Sequence, residues 1–539
     1  MKTPLLLAAL SLLAGCGPLE LHQDINRDGL VFCSEGNPES FNPQLDTSGT
    51  TVDATSAQLY DRLIEYDAEQ QTFVPSLAHK WETFDGGRRY RFHLRPNVQF
   101  HQTDWFTPTR PLQASDVVFS FTRWLDPHHD YHKVNGGQYP FFRASGLKRL
   151  IERVESVNST TVDFVLTRVD SSFLANLATD FAVILSAEYA QQLTQQGTPE
   201  LLDRHPIGTG PFQFIEFRKD LLIRYGANAN YWQGAPAIKH LVYSITPNAN
   251  KRMLKLITGE CDVIAYPLVA QLEQRDYKPP VKVTQTSNPN IAFWAFNTER
   301  PPFDQGLVRQ ALAHAINRPA IVQTIYNGQA QLATGMLPST SWAYQPTATD
   351  YPYDPKRARE LLRQAGYPNG FAMTIWAAPI QRVYNPNALR MAELIQADLA
   401  QIGVTASIVS YEWNTFRQRL ARGEHDTALV GWVADNADPD NFLRPTLSCS
   451  AARSGTNRAL WCDADFDQQL LSAIQSTDPQ DRQRRYQAIE TYVMQQVPLV
   501  PIASSLRFQA HQHNIFGVEL PPYGGIRFVN ARRAEHVPL

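Results

Sequence analysis

At 539 residues the chain exceeds what one hydrophobic core organises, and ordinary domain sizes divide it into two to four. Its formal net charge of -3 comes from 49 basic and 52 acidic side chains without long runs of either sign, which excludes a basic nucleic-acid face and an acidic tail. A hydrophobic content of 43% with 37 prolines and 28 glycines belongs to an ordered body with many fixed turns, because a disordered chain offers far less apolar surface.

The first residues carry an export signal. Lys2 is basic, 5–13 is an apolar run, and Leu13-Ala14-Gly15-Cys16 closes it with small residues. The run is about half the ~20 residues a bilayer-spanning helix needs. A signal ending at a cysteine resembles the lipobox of bacterial lipoproteins. Residues 1–16 are therefore expected to be a signal peptide whose Cys16 becomes the acylated mature terminus, leaving open which membrane holds it. No later stretch is apolar enough to span, so the rest reads as a soluble body on a lipid tether.

Further along, 89–95 and 161–167 alternate apolar and polar residues and predict half-buried strands. Between them Ser115 reads as the cap of a helix whose apolar face carries Val117, Val118, Phe121, Trp124 and Leu125. Asp354-Pro355 opens a helix that Gly366 ends, with Ala358, Leu361, Leu362 and Ala365 on one face. A strand at 372–377 follows. Asn385-Pro386 opens a second helix, with Met391, Ile395, Leu399 and Ile402 inward and Gly403 as its stop. A strand at 404–409, a short helix at 413–420 and an apolar strand at 428–433 complete the series. Strands alternating with helices predict a parallel sheet, and ligands of such sheets gather beyond the carboxyl ends of the strands. Arg382 follows the strand ending at Ala377, and Asp435 follows the one ending at Val433. A guanidinium and a carboxylate at one sheet edge suit the two ends of a zwitterion.

With Cys16 set aside, Cys33, Cys261, Cys449 and Cys462 remain, an even number that suggests two disulfides in an exported chain. Three pairings are open, and Cys449 and Cys462 are near enough in sequence to close a small loop. Their spacing is not that of a structural zinc site. Asp126-Pro127-His128-His129-Asp130-Tyr131-His132 is dense in metal-ligand types and raises a secreted metal-dependent hydrolase as a rival reading. It is a proline-broken loop without an H-E-x-x-H helix, so a solvated loop is favoured and no metal is expected. Gly208-Thr209-Gly210 runs into Pro211 and lacks the Gly-Lys-Ser/Thr ending of a phosphate loop, and no G-x-S-x-G elbow occurs. No catalytic residues are therefore assigned.

Several motifs in order carry a resemblance. They are Cys33-Ser34-Glu35-Gly36 with Phe41-Asn42-Pro43, Thr47-Ser48-Gly49-Thr50-Thr51, Ala114-Ser115-Asp116-Val117-Val118-Phe119, Pro206-Ile207-Gly208-Thr209-Gly210-Pro211-Phe212, Val308-Arg309-Gln310-Ala311-Leu312, Tyr353-Asp354-Pro355, and Gly431-Trp432 with Asp435-Asn436 and Asp438-Pro439-Asp440. From about residue 30 to 528 the chain resembles the family 5 bacterial extracellular solute-binding proteins of peptide and nickel ABC importers, nearest their dipeptide-binding and Sap (antimicrobial peptide sensitivity) branches.

The resemblance implies an α/β fold of the periplasmic binding protein type, cluster C, with two ligand-closing lobes and an extra inserted domain. Domain I would comprise 28–59, 209–287 and 505–534, domain II 60–208, and domain III 288–504, with ligand enclosed between I and III. It implies that Asp435 takes a ligand ammonium and Arg382, ahead of Tyr384-Asn385-Pro386, a carboxylate. Trp413 and Trp432 would be ligand-facing aromatics, with Tyr384 beside Arg382, and Thr47, Ser48, Gly49, Thr50 and Asn297 would face them. It also implies the disulfides Cys33–Cys261 and Cys449–Cys462. The expected guest is a di- or short peptide delivered to an inner-membrane permease by a monomer, with no cofactor; haem or a cationic antimicrobial peptide is the alternative guest.

Overall fold

The computed structural model describes residues 28–267, 271, 280–346 and 350–534, so the signal expected at 1–16 and its Cys16 lie outside the described residues. Two large hydrophobic cores form. One draws only on residues between Ile291 and Ala503. The other draws on residues 30–265 together with Ile515, Ile526, Phe528 and Ala531.

One mixed sheet runs through both. Its spine is the strand Leu499–Gln512, which pairs antiparallel with Asn290–Phe296 through Leu499–Ala503 and with Val263–Ala265 through Gln509–His511. Beyond Asn290–Phe296 lie Thr427–Val433, Ala372–Ala377 and Thr405–Val409, in that order. These last three are mutually parallel, as their helical crossovers require. The sheet is nevertheless not the parallel one expected, because Thr427–Val433 pairs antiparallel with Asn290–Phe296. That strand is far away in sequence, so a local pattern of strands and helices carries no trace of it.

The crossover helices form where caps and apolar spacing place them. Asp354 accepts from the Lys356 and Arg357 N–H groups and starts Pro355–Gln364. The second helix begins later than expected, at Ala388, because Asn387 rather than Asn385 accepts from the Arg390 N–H. Asn385 instead closes a turn described below.

Residues 78–166 contribute a separate antiparallel sheet of Ala78–Phe84, Arg89–Leu94, Thr161–Leu166 and Ile151–Asn158. Its hydrophobic face is continuous with the core of the flanking segments. The strand Thr161–Leu166 is buried almost throughout rather than alternately. Asp163 tolerates this because the Arg91 guanidinium donates to both its oxygens at 2.7 and 2.8 Å. The helix Ala114–Leu125 starts ahead of Ser115, and the Asp116 carboxylate accepts from the Gln113 N–H at 2.8 Å, so Ser115 is not the cap.

Disulfides join Cys33 to Cys261 and Cys449 to Cys462, with Cα separations of 5.9 and 4.4 Å. Among the described residues no helix is long and apolar enough to cross a membrane.

Candidate binding site

A cavity of about 2150 Å³ opens between the two cores. Segments 35–53, 247–267 and 505–508 line one side, and segments 378–386, 413–420 and 429–446 line the other. The volume exceeds the roughly 300–1,000 Å³ of an ordinary small-molecule pocket.

Asp435 leaves the carboxyl end of Thr427–Val433 at this cavity. Asn441, in the first turn of the helix Asp440–Leu447, holds it there. The Asn441 amide oxygen accepts from the Asp435 backbone N–H at 2.9 Å and from the Trp432 indole N–H at 3.4 Å. Burial pushes the Asp435 carboxyl up to about 7, against a hydrogen bond from Asn441 that pulls it down, and the Asp180 charge raises it further. Asp180 belongs to the other core, where Arg62 pairs with it at 2.6 Å and the Gly525 N–H donates to it at 2.8 Å. The Asp180 charge thus acts on Asp435 across the cleft, and a cation placed beside Asp435 offsets it.

Arg382 sits in a tight turn after the strand Ala372–Ala377. Its N–H and carbonyl exchange bonds with Asn385 at 2.9 and 3.0 Å. The Ser505 hydroxyl donates to the Val383 carbonyl at 2.6 Å and the Tyr326 hydroxyl to the Tyr384 carbonyl at 2.7 Å, so the turn is pinned from two sides. The Tyr384 ring packs onto Gly431, where a Cβ would stand 2.4 Å from ring atoms. The Arg382 guanidinium lies 5.1 Å from the Trp413 ring centroid. Among the described residues no carboxylate comes within 4.0 Å of it. Its charge reaches the facing wall, where burial and Asp53 raise the Glu35 carboxyl against the pull of Arg382, Arg252 and Arg507.

Trp413 and Trp432 are half-buried and line the cavity, as do Thr47, Ser48, Gly49, Thr50 and Tyr384. Ser48 caps the helix Gly49–Leu59, its hydroxyl oxygen accepting from the Thr51 N–H at 3.3 Å while it donates to Asp46. The helix N-terminus therefore opens into the cleft.

Asn297 is a correction. It follows Asn290–Phe296, which runs antiparallel to Thr427–Val433, so it emerges at the opposite sheet edge from Asp435. Its side chain is buried and donates to the Gly423 and His425 carbonyls at 3.0 and 2.9 Å. It is structural and does not line the cavity.

The sequence reading missed Glu35, Asp180, Asn441 and Arg458, which all line the cavity. Two of them stood in or beside motifs already noted, Glu35 within Cys33-Ser34-Glu35-Gly36 and Asn441 directly after Asp438-Pro439-Asp440. In the 126–132 loop, His129 Nδ1 accepts from the Tyr131 N–H at 3.1 Å and His132 Nδ1 lies 2.8 Å from the Arg123 carbonyl. Among the described residues no cluster of three or more His, Cys, Asp or Glu side chains is placed to hold a metal.

Comparison with known proteins gives a consistent result. The sequence pattern of the bacterial extracellular solute-binding proteins, family 5 Middle, matches residues 72–454. A dipeptide-binding protein of Escherichia coli K12 is 44% identical over 529 residues, covering 98% of each chain. Heme-binding protein A of Haemophilus influenzae is 44% identical over 494 residues, covering 92% of this chain and 90% of its own. The crystal structure of a dipeptide binding protein from Pseudoalteromonas sp. SM9913 in complex with Met-Leu superposes with a TM-score of 0.87 at 48% identity, covering 94% of this chain and 99% of that one. With more than half its length matched and relatives this close across nearly all of it, the chain belongs to the family 5 bacterial extracellular solute-binding proteins.

Proposed function

We propose that the chain is the substrate-binding subunit of a peptide ABC importer and takes a di- or short peptide in the cleft between 28–59, 209–287 and 505–534 on one side and 288–504 on the other. One observation carries this. A carboxylate held near neutrality by burial and an arginine without an acidic partner line the same cavity, so the site is complete only with a zwitterion in it. The ammonium goes to Asp435, the carboxylate to Arg382, and Trp413, Trp432 and Tyr384 give side chains an apolar wall. Thr47, Ser48, Gly49 and Thr50 offer polar groups from the opposite wall.

A fixed gap between the two charged groups selects length, since each added residue extends a peptide by about 3.3 to 3.6 Å. The chain binds and delivers its guest and is no enzyme. The guest passes to an inner-membrane permease from a periplasmic monomer tethered to the cell membrane by acylated Cys16, and an unmodified mature terminus on intact-mass analysis would refute that anchor. Titration calorimetry with Ala-Ala tests the site. Binding is lost in Asp435→Ala and weakened in Arg382→Ala, and undiminished binding in both variants rejects it.

Haem is a second reading, favoured by the cavity volume, because the propionates suit the same arginine. A cationic peptide fits less well, since Arg382, Arg417 and Arg458 all line the 288–504 wall.

A further inference from the structure

That wall carries more positive charge than the proposed grip uses. Arg458 lies in the segment between Cys449 and Cys462, which the disulfide draws to the cavity. The residue is half-buried, yet its Nη1 is sealed from solvent with no hydrogen-bond partner. Among the described residues no carboxylate comes within 4.0 Å of its guanidinium. Burial pushes its pKa down to about 10, the Tyr384 hydroxyl opposes this, and the Arg417 charge adds to it. Arg417 is exposed on the same wall, with its guanidinium 5.8 Å from the Trp413 ring, on which Arg382 also rests. A guanidinium with one nitrogen sealed from solvent and unpartnered is costly, and an aliphatic side chain would fill the place more cheaply. Its retention makes sense when the counter-charge arrives with the guest.

We propose that Arg458, with Arg417 beside it, forms a second anion subsite in the cleft, which takes a carboxylate carried by the guest in addition to the one held by Arg382. This rests on the reading of the cleft given above and narrows the guest to one with two carboxylates. Two sources share that chemistry, a peptide ending in Asp or Glu and a haem with two propionates.

Titration calorimetry on the full chain compares Ala-Glu with Ala-Gln, which differ in charge but hardly in shape, and haemin with its dimethyl ester. Ala-Glu binds about tenfold more tightly than Ala-Gln to the unaltered chain, the worth of one charge-assisted contact. Arg458→Met brings the two to equal affinity by weakening Ala-Glu, with Ala-Gln as the reference within the same variant, and Arg458→Lys restores part of the preference. A preference for haemin over its ester that Arg458→Met abolishes, without dipeptide binding, makes haem the source and rejects the dipeptide. Equal affinity for Ala-Glu and Ala-Gln in the unaltered chain, or a preference that survives Arg458→Met, overturns the subsite and leaves the peptide reading standing. Absence of binding by every one of these probes overturns both.

Discussion

On the proposed grip, Asp435 sets the pH dependence of binding. In the empty cleft its carboxyl keeps a proton up to about 7, while an exposed aspartate releases it near ~4. A raised carboxyl stabilises the fold on the acid side, and that contribution is lost as pH climbs from about 4 through 7. Binding has the opposite sign, because an ammonium guest requires the carboxylate. Below 7 affinity for Ala-Ala therefore falls by up to about tenfold per pH unit, and above about 8 the peptide amine itself loses its proton. Calorimetry across pH 5 to 9 is expected to give a maximum between these limits with proton release below it, and Asp435→Asn to flatten the acid limb. An acid limb that persists in Asp435→Asn assigns the proton to another group. Asp435 and Arg382 were legible because each follows an apolar strand of a repeating strand and helix pattern. Arg458 was not, since it sits in an irregular segment where neither periodicity nor a motif separates a cavity-facing arginine from a solvated one.

The turn that carries Arg382 depends on the strand beside it. Gly431 is the place on Thr427–Val433 where the Tyr384 ring descends onto the backbone, and a methyl there would also stand 2.5 Å from the Ile291 carbonyl oxygen. Gly431→Ala must push the ring outward or part the two strands, and overpacking of this kind costs about 1–3 kcal/mol. Because Tyr384 and Arg382 share one turn, the displacement reaches the guanidinium. Ala-Ala affinity is expected to fall about tenfold while far-ultraviolet dichroism keeps its native shape; unchanged affinity would show that the turn moves independently of its ring. The element scale is also where sequence reading divided most cleanly into what it can and cannot see. Helix caps and crossover strands rest on neighbours within a few residues and were legible. The register of Asn290–Phe296 against Thr427–Val433 joins segments more than a hundred residues apart, and the misplacement of Asn297 follows from not knowing that strand's direction.

Across the molecule, two cores share one sheet through Leu499–Gln512, and the cleft lies between them. Direct hydrogen bonds also bridge them outside the sheet, from Asn436 to Asn176 at 3.1 Å and from the Ser171 hydroxyl to the Ser476 carbonyl at 2.6 Å. Among the described residues such ties, including that from the Ser171 N–H to the Ile474 carbonyl at 2.8 Å, are few beside two large apolar interiors, so the empty protein should unfold in two overlapping calorimetric transitions rather than one. The disulfides assign them, since Cys33–Cys261 belongs to a small cluster with Met253, Leu256, Ile264 and Ala510 beside the core of residues 30–265, and Cys449–Cys462 lies within 291–503. Chain entropy gives about 5 kcal/mol for the loop of 228 residues and about 3 kcal/mol for the loop of 13. Replacing Cys33 and Cys261 by Ser should therefore lower one transition strongly and leave the other near its place, and replacing Cys449 and Cys462 should do the reverse more weakly. On the proposed grip, a guest held by Asp435 and Arg382 on one side and by the 47–50 loop on the other adds ties between the cores, so saturating Ala-Ala should raise both transitions and draw them together. A single transition in the empty protein that shifts equally with either disulfide would mean that the shared sheet and these side contacts couple the two bodies into one unit, and closure would then have to bend the spine strand rather than swing one core against the other.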